Sequence, residues 1–111
     1  MTHVTIFKKD GKIAEVECDG HTNYGEKGED IVCAALSSVV QTALLGVLVV
    51  AGVEAKTTRR DDEGYLKFSL PQDMTEAESD KCETILQTML CGVSDLHVGF
   101  SDFIELEVKN L

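Results

Sequence analysis

The fold is decided by the stretch GHTNYGEKGEDIVCAALSSVVQTALLGVLVVA, residues 20–51, whose pattern of apolar and polar residues changes twice. Gly20 and His21 end a segment of alternating apolar and polar residues, which is typical of a strand. Residues 22–29 contain two glycines and almost no apolar side chain, which predicts a loop. Residues 31–51 carry no charge and are apolar at helical spacing. A strand, a glycine-rich loop and a long helix are therefore predicted in this order.

The start of that helix carries a cysteine in a position that suits catalysis. Asp30 is predicted to be the N-cap, because its carboxylate accepts from the free N–H groups of the first turn. Cys33 would then be the third helical residue, where the helix dipole favours the thiolate. A neutral imidazole at His21 would accept the thiol proton. The pattern is that of a cysteine nucleophile, although a lone helical cysteine is more often a small core residue.

The apolar helix also raises the question of a membrane span. Residues 31–53 are uncharged and long enough to cross a bilayer. Five polar or thiol side chains nevertheless fall on one half of the helix, namely Cys33, Ser37, Ser38, Gln41 and Thr42. A polar half of this kind predicts a helix packed on a sheet, and no membrane partner is expected. Residues 43–51 are apolar on all sides, which indicates a core helix or a subunit contact.

The rest of the chain predicts two hairpins, a second helix and a last strand. The first hairpin pairs residues 3–8 with 12–18 around Asp10-Gly11. The second pairs residues 53–59 with 65–70. Gly52 is predicted to end the long helix. Thr75 or Ser79 would cap the second helix, and residues 75–78 resemble a capping box. Ile104 to Val108 alternate as a strand. Residues 1–111 are thus predicted to form a single α+β domain of order ββαββαβ, with a mainly antiparallel sheet and two helices packed on one face.

Charge and cysteine spacing limit the partners. The chain has 20 acidic and 10 basic side chains, and its formal net charge is −10. Nucleic acid is not an expected partner, because phosphate binding needs a basic surface, whereas a basic protein would be attracted. The cysteines have no Cys-x-x-Cys or zinc spacing, so no metal or organic cofactor is expected. With no signal segment in the sequence, we expect a reduced, cytoplasmic protein.

The motifs GHTNYGEKGEDIVCAALS (residues 20–37) and ILQTML (residues 85–90) resemble the ribosomal-processing cysteine protease (Prp) family. The resemblance runs over the whole chain. It implies a Cys/His dyad protease that removes the N-terminal extension of large-subunit ribosomal protein twenty-seven, with the basic precursor as a peptide substrate. Carried over by motif position, His21 is the general base and Cys33 the nucleophile. The resemblance also favours a homodimer.

Five further residues are candidates for supporting or substrate-binding roles. They are Gly20, Gly25, Gly28, Asp30 and Ser37. The loop over residues 22–29 is expected to be mobile without substrate and to order over a bound peptide, with its glycines as hinges. Ser37 lies one helical turn beyond Cys33, so it would reach either the thiolate or the substrate. Asp30 would orient His21 or the loop in addition to capping the helix.

Two other hypotheses belong to different classes. The chain would be a non-enzymatic ribosome-associated binding module if Cys33 were only structural. It would be a thiol redox protein if a resolving cysteine stood nearby, but none occurs at short spacing. The remaining cysteines are predicted to be buried thiols without chemistry: Cys18, Cys82 and Cys91. His3 and His97 are predicted to lie on the surface or at its rim.

Overall fold

The computed structural model describes residues 1–20 and 29–111, except for the side chains of Glu29 and Asp30. The strands are β1 (Thr2–Lys9), β2 (Lys12–Gly20), β3 (Lys56–Arg60), β4 (Tyr65–Ser69) and β5 (Ile104–Asn110), and the helices are α1 (Glu29–Leu45) and α2 (Glu76–Gly99). A π-helical turn, Gly46–Val50, continues α1, and a 3-10 turn, Asp61–Glu63, joins β3 to β4. The predicted order ββαββαβ is confirmed.

The five strands form one sheet in the order β3-β4-β2-β1-β5. All neighbouring pairs are antiparallel except β1 and β5, which run parallel. The parallel pair requires a crossover, and the long helix α2 supplies it. β1 and β2 lie in the interior of the sheet, and β2 ends at Gly20. The predicted α+β class with a mainly antiparallel sheet is confirmed.

The first hairpin contains a β-bulge that explains an irregular hydrophobic pattern. Asp10 and Gly11 both have positive φ, as a two-residue turn of type I′ requires. The register then shifts between Phe7 and Lys8, so that Ala14 is an extra residue in β2. Because of this shift, three side chains of β2 all face the core, although they are not all separated by an even number of residues as in a regular strand. They are Ile13, Val16 and Cys18.

One hydrophobic core lies between the sheet and the two helices. α1 contributes the fully buried Leu36 and Val40, and the π-helical turn after it contributes Val47. α2 contributes Leu86 and Val93. Within the described residues, one helical stretch, residues 31–50, is long and apolar enough to cross a membrane. A core helix passes the same test of length and hydropathy, and the inward face of α1 packs in this core.

The ends of both helices follow from short-range chemistry. Thr75 Oγ1 accepts from the amide of Glu78, and the Glu78 carboxylate accepts from the amide of Thr75, which completes the predicted capping box. At the other helix, the π-helical turn ends at Val50 and the chain then reverses through Gly52 at φ +67°. Gly52 is thus the predicted stop of the long helix.

Candidate active site

Cys33 lies on the side of α1 that faces the sheet. Its side chain is only 7% exposed. The Sγ atom lies 2.7 Å from Oγ1 of Thr2, the first residue of β1. This hydrogen bond joins the start of the chain to the start of α1, two segments that are 31 residues apart. The thiol is therefore held between the helix and the end of the central strands.

The helix begins earlier than the sequence indicated. α1 starts at Glu29, so Asp30 lies inside the first turn and the prediction that it is the N-cap is wrong. Cys33 consequently lies in the second turn instead of at the third helical position. The attraction of a helix N-terminus for negative charge falls off within the first turn. A thiolate at Cys33 therefore depends more on its side-chain neighbours than the sequence suggested.

A pocket of about 540 Å³ opens in front of Cys33. One wall is α1, where Ala34, Ser37 and Gln41 flank the thiol. The opposite wall is the second hairpin, which contributes Tyr65 and the 3-10 turn before it. Ser37 Oγ accepts a hydrogen bond of 2.6 Å from Gln41 Nε2, so a polar pair stands one turn beyond the thiol. A cleft of this size accommodates several residues of an extended peptide.

Gly20 lines the same pocket at the end of β2, and the structure explains why this position is a glycine. Gly20 pairs with Thr2 across the two strands. A Cβ atom at Gly20 would lie 2.6 Å from Oγ1 of Thr2 and 2.9 Å from its Cγ2. The Thr2 side chain could not then keep its position beside Cys33. Gly20 is therefore a structural part of the site.

A second thiol lines the pocket. Cys18, on β2, has its pKa raised to about 12, chiefly by burial and then by the nearby Cys33 and Asp19. Cys18 is consequently a neutral thiol at physiological pH and not a competing nucleophile. The prediction of buried cysteines holds for Cys18 and Cys82 but is wrong for Cys91, which is exposed on the outer side of α2.

The structure brings together three of the predicted site residues: Gly20, Cys33 and Ser37. His21, Gly25 and Gly28 lie outside the described residues, as does most of the loop to which a gating role was assigned, and Asp30 is described only in its backbone. Within residues 1–20 and 29–111, no group of three His, Cys, Asp or Glu side chains is placed to hold a metal ion. Sequence reasoning missed Thr2, because a threonine near the start of a strand carries no signal of its contact with Cys33.

Comparisons with known proteins point to one family. The profile of the family described as "Cysteine protease Prp" matches residues 1–105. The ribosomal processing cysteine protease Prp of Bacillus subtilis is 30% identical over 103 residues, which are 92% of each chain. The crystal structure of the essential ribosomal processing protease Prp from Staphylococcus aureus, in complex with a substrate peptide, superposes with a TM-score of 0.86 at 28% identity, over 98% of this chain and 100% of that one. The same protease with a covalently linked product peptide gives a TM-score of 0.82 at 29% identity, over the same fractions of the two chains.

Proposed function

Since the chain belongs to the Prp family of cysteine proteases, we propose that it removes the N-terminal extension of large-subunit ribosomal protein twenty-seven through a dyad of Cys33 and His21. The observation that carries the proposal is the position of Cys33 at the wall of a peptide-sized pocket. Gly20 lines that pocket, and His21 is the residue bonded to it. The match to the family decides against a non-enzymatic binding module.

The proposed reaction is acyl transfer to sulfur. The Cys33 thiolate attacks the carbonyl carbon of the scissile peptide bond, and the C–N bond breaks as protonated His21 gives its proton to the leaving amine. The product is a thioester between Cys33 and the N-terminal fragment. Water then attacks the thioester with His21 as the base, which releases the carboxylate and restores the thiolate. The covalent product complex of the S. aureus relative supports a mechanism of this class.

The charge of the chain supports a basic protein substrate. With a formal net charge of −10, the protease attracts a basic ribosomal protein precursor at long range, and this attraction weakens with salt. The same charge disfavours nucleic acid as a partner. We place the reaction in the cytoplasm and without a membrane partner, and fractionation of cells that produce the tagged chain tests this location.

The test is incubation of the purified protease with the host's own precursor of that ribosomal protein, followed by intact-mass measurement. We expect one mass loss that corresponds to an N-terminal peptide. Cys33→Ser should abolish this loss, whereas Cys91→Ser should not, because Cys91 is exposed and outside the pocket. His21→Ala should be as inactive as Cys33→Ser. Cleavage by Cys33→Ser at the wild-type rate would overturn the dyad.

We also propose that the protease is a homodimer. The π-helical end of α1 leaves Val49 74% and Val50 72% exposed, beside an exposed Leu45. An apolar patch of this kind is typical of a contact between subunits. Light scattering at high micromolar concentration should give twice the mass of one chain, and Val49→Glu should shift it to one chain. A wild-type monomer under these conditions would rule out the dimer.

A further inference from the structure

Thr2 is the one polar side chain that is buried among the described residues, with 3% of its surface exposed. Buried polar groups are almost always hydrogen-bonded, and the hydroxyl of Thr2 has Cys33 Sγ as its partner at 2.7 Å. We propose that Thr2 is a positioning residue for the nucleophile. Its hydroxyl donates to the Cys33 thiolate, stabilises the charge and keeps the sulfur facing the pocket. The inference rests on the proposed function, because it assumes that Cys33 is the nucleophile.

The backbone holds Thr2 firmly in this position. β1 lies between β2 and β5, so Thr2 is paired on one side with Gly20 and on the other with Ile104. Its amide also donates to the carbonyl oxygen of Phe103 at 2.8 Å. A β-branched side chain in a strand has few χ1 rotamers, so the direction of the hydroxyl is largely set by the backbone. The missing Cβ of Gly20 supplies the space that this rotamer needs.

The direction of the hydrogen bond depends on the ionisation of Cys33. When Cys33 is a thiol, either partner has a proton to donate. When it is a thiolate, only the Thr2 hydroxyl has one, and the bond becomes charge-assisted and stronger. Because Cys33 lies in the second turn of α1, the helix terminus gives it less support than a residue of the first turn receives. A donor in direct contact with the sulfur compensates for that distance.

The other charged and titratable groups around the sulfur do not supply such a donor within the described part of the chain. Those that line the pocket come from β2, from β3 and the turn after it, and from β4: Cys18, Arg59, Asp61 and Tyr65. Arg59 and Asp61 form an ion pair with each other. The Tyr65 hydroxyl donates to Glu17, which faces away from the thiol along β2. Among residues 1–20 and 29–111, the hydroxyl of Thr2 is the side-chain group that hydrogen-bonds to Sγ.

The effect of this donor on Cys33 is measurable as the pH dependence of alkylation. Iodoacetamide reacts with the thiolate, so the rate at Cys33 rises with pH to a plateau. Loss of one charge-assisted hydrogen bond should move the midpoint of this profile upward by about 1 to 2 pH units. A thiolate released from a donor is also a better nucleophile. The plateau rate should therefore rise roughly threefold for each unit of the shift. The two curves would cross, which a loss of packing alone would not produce.

The experiment compares wild type, Thr2→Val and Thr2→Ser, with alkylation at Cys33 resolved by peptide mass mapping between pH 5 and 10. Thr2→Val keeps the β-branched shape without the hydroxyl, and Thr2→Ser keeps the hydroxyl without the methyl group. We expect the raised midpoint and raised plateau in Thr2→Val, with Thr2→Ser close to wild type. Thr2→Ala is the second variant without a hydroxyl and should match Thr2→Val. Equal shifts in the serine and valine variants, or no shift in either, would overturn the inference.

Cleavage of the precursor separates this inference from the proposed function. Thr2→Val should lower the turnover number at neutral pH by about threefold to tenfold, and the loss should disappear as the pH approaches the plateau. Activity of Cys33→Ser would overturn the proposed function whatever the profiles show. An essential Cys33 with wild-type turnover and an unchanged profile in Thr2→Val would overturn the inference about Thr2 alone.

Discussion

The amide of Gly20 donates a hydrogen bond of 3.0 Å to the carbonyl oxygen of Gly64, which ties the second hairpin to the end of β2. Gly64 closes the 3-10 turn between β3 and β4 with φ at +63°. Its Cα lies so close to Gly20 that a Cβ would overlap the Gly20 carbonyl oxygen. The turn that forms the far wall of the pocket is therefore attached directly to Gly20, the residue before His21.

Gly64→Ala should lower both stability and activity. The substitution strains the left-handed backbone and also pushes the Gly20 carbonyl away, so the end of β2 must move. We expect a loss in unfolding free energy well above the roughly 1 to 2 kcal/mol that a left-handed backbone costs a residue with a side chain, together with a large loss of turnover. Urea unfolding and precursor cleavage measure the two effects.

Gly11→Ala is the matched control for that variant. Gly11 has φ at +80° in the first hairpin, and a Cβ there would meet nothing within 4 Å. It therefore carries the same kind of backbone strain without the overlap and far from the pocket. Gly11→Ala should lower the free energy of unfolding by about 1 to 2 kcal/mol and leave turnover unchanged. Equal effects of the two substitutions on turnover would contradict the link between Gly64 and the site.

Gly20→Ala should displace the Thr2 side chain, because the new Cβ would lie 2.6 Å from its Oγ1. We expect lower stability and lower turnover. The double variant Thr2→Ala/Gly20→Ala removes the atoms in conflict, so it should recover stability relative to Gly20→Ala but not turnover. A double-mutant cycle from urea unfolding gives the coupling energy. Additive losses in stability would show that the two side chains do not compete for one space.

The elements of the fold could be predicted from local patterns. The Asp10-Gly11 turn, the capping box at Thr75 and the stop at Gly52 are short-range signals, and the structure has each of them at the predicted place. The register of the first hairpin could not be predicted from the sequence. A two-residue turn without a bulge would pair Thr2 with Asp19, and the extra residue Ala14 moves the partner to Gly20. A bulge depends on how both strands pack, and no local sequence motif in the first hairpin indicates it.

Only those residues of the candidate site that belong to a recognisable sequence motif could be predicted. Cys33, Ser37 and Gly20 come from the resemblance and the helical spacing, and all three line one pocket. Thr2 was missed because its contact with Cys33 depends on that bulge and on the pairing of β1 with β5. The start of α1 was placed two residues too late, at Ile31 instead of Glu29, because an aspartate such as Asp30 suits the first turn of a helix as well as its N-cap.

Thr75→Ala should lower stability without a change in catalysis. It removes the hydroxyl that caps α2, and loss of an N-cap costs about 1 kcal/mol. For a chain of this size the melting temperature should fall by about 4 to 6 °C. Thr84→Ala is the control, because Thr84 donates to the carbonyl of Asp80 within the same helix and its loss should matter little. Equal melting temperatures of the two variants would contradict the role of the cap.

The burial of Cys18 predicts a loss of stability at alkaline pH. The pKa of this thiol is about 12 in the folded protein against 9.0 for an ordinary one, chiefly because burial disfavours the thiolate. Between these two values the folded chain holds a proton that the unfolded chain has lost. The stabilisation is therefore complete below pH 9 and is lost as the pH rises towards 12.

Urea unfolding between pH 8 and 10.5 tests this sign. Above pH 9, the free energy of unfolding should fall more steeply with pH in wild type than in Cys18→Ala, which has no thiol to titrate at this position. The difference between the two slopes should be about 1.4 kcal/mol per pH unit. The comparison uses slopes, because the alanine variant also loses core packing by a constant amount. Cys91→Ala, with its thiol on the exposed side of α2, should keep the wild-type slope. Parallel slopes in wild type and Cys18→Ala would contradict this prediction and would mean that water reaches the Cys18 thiol in the folded protein. Because Cys18 lines the pocket beside Cys33, the thiol would then also be accessible to reagents aimed at the nucleophile.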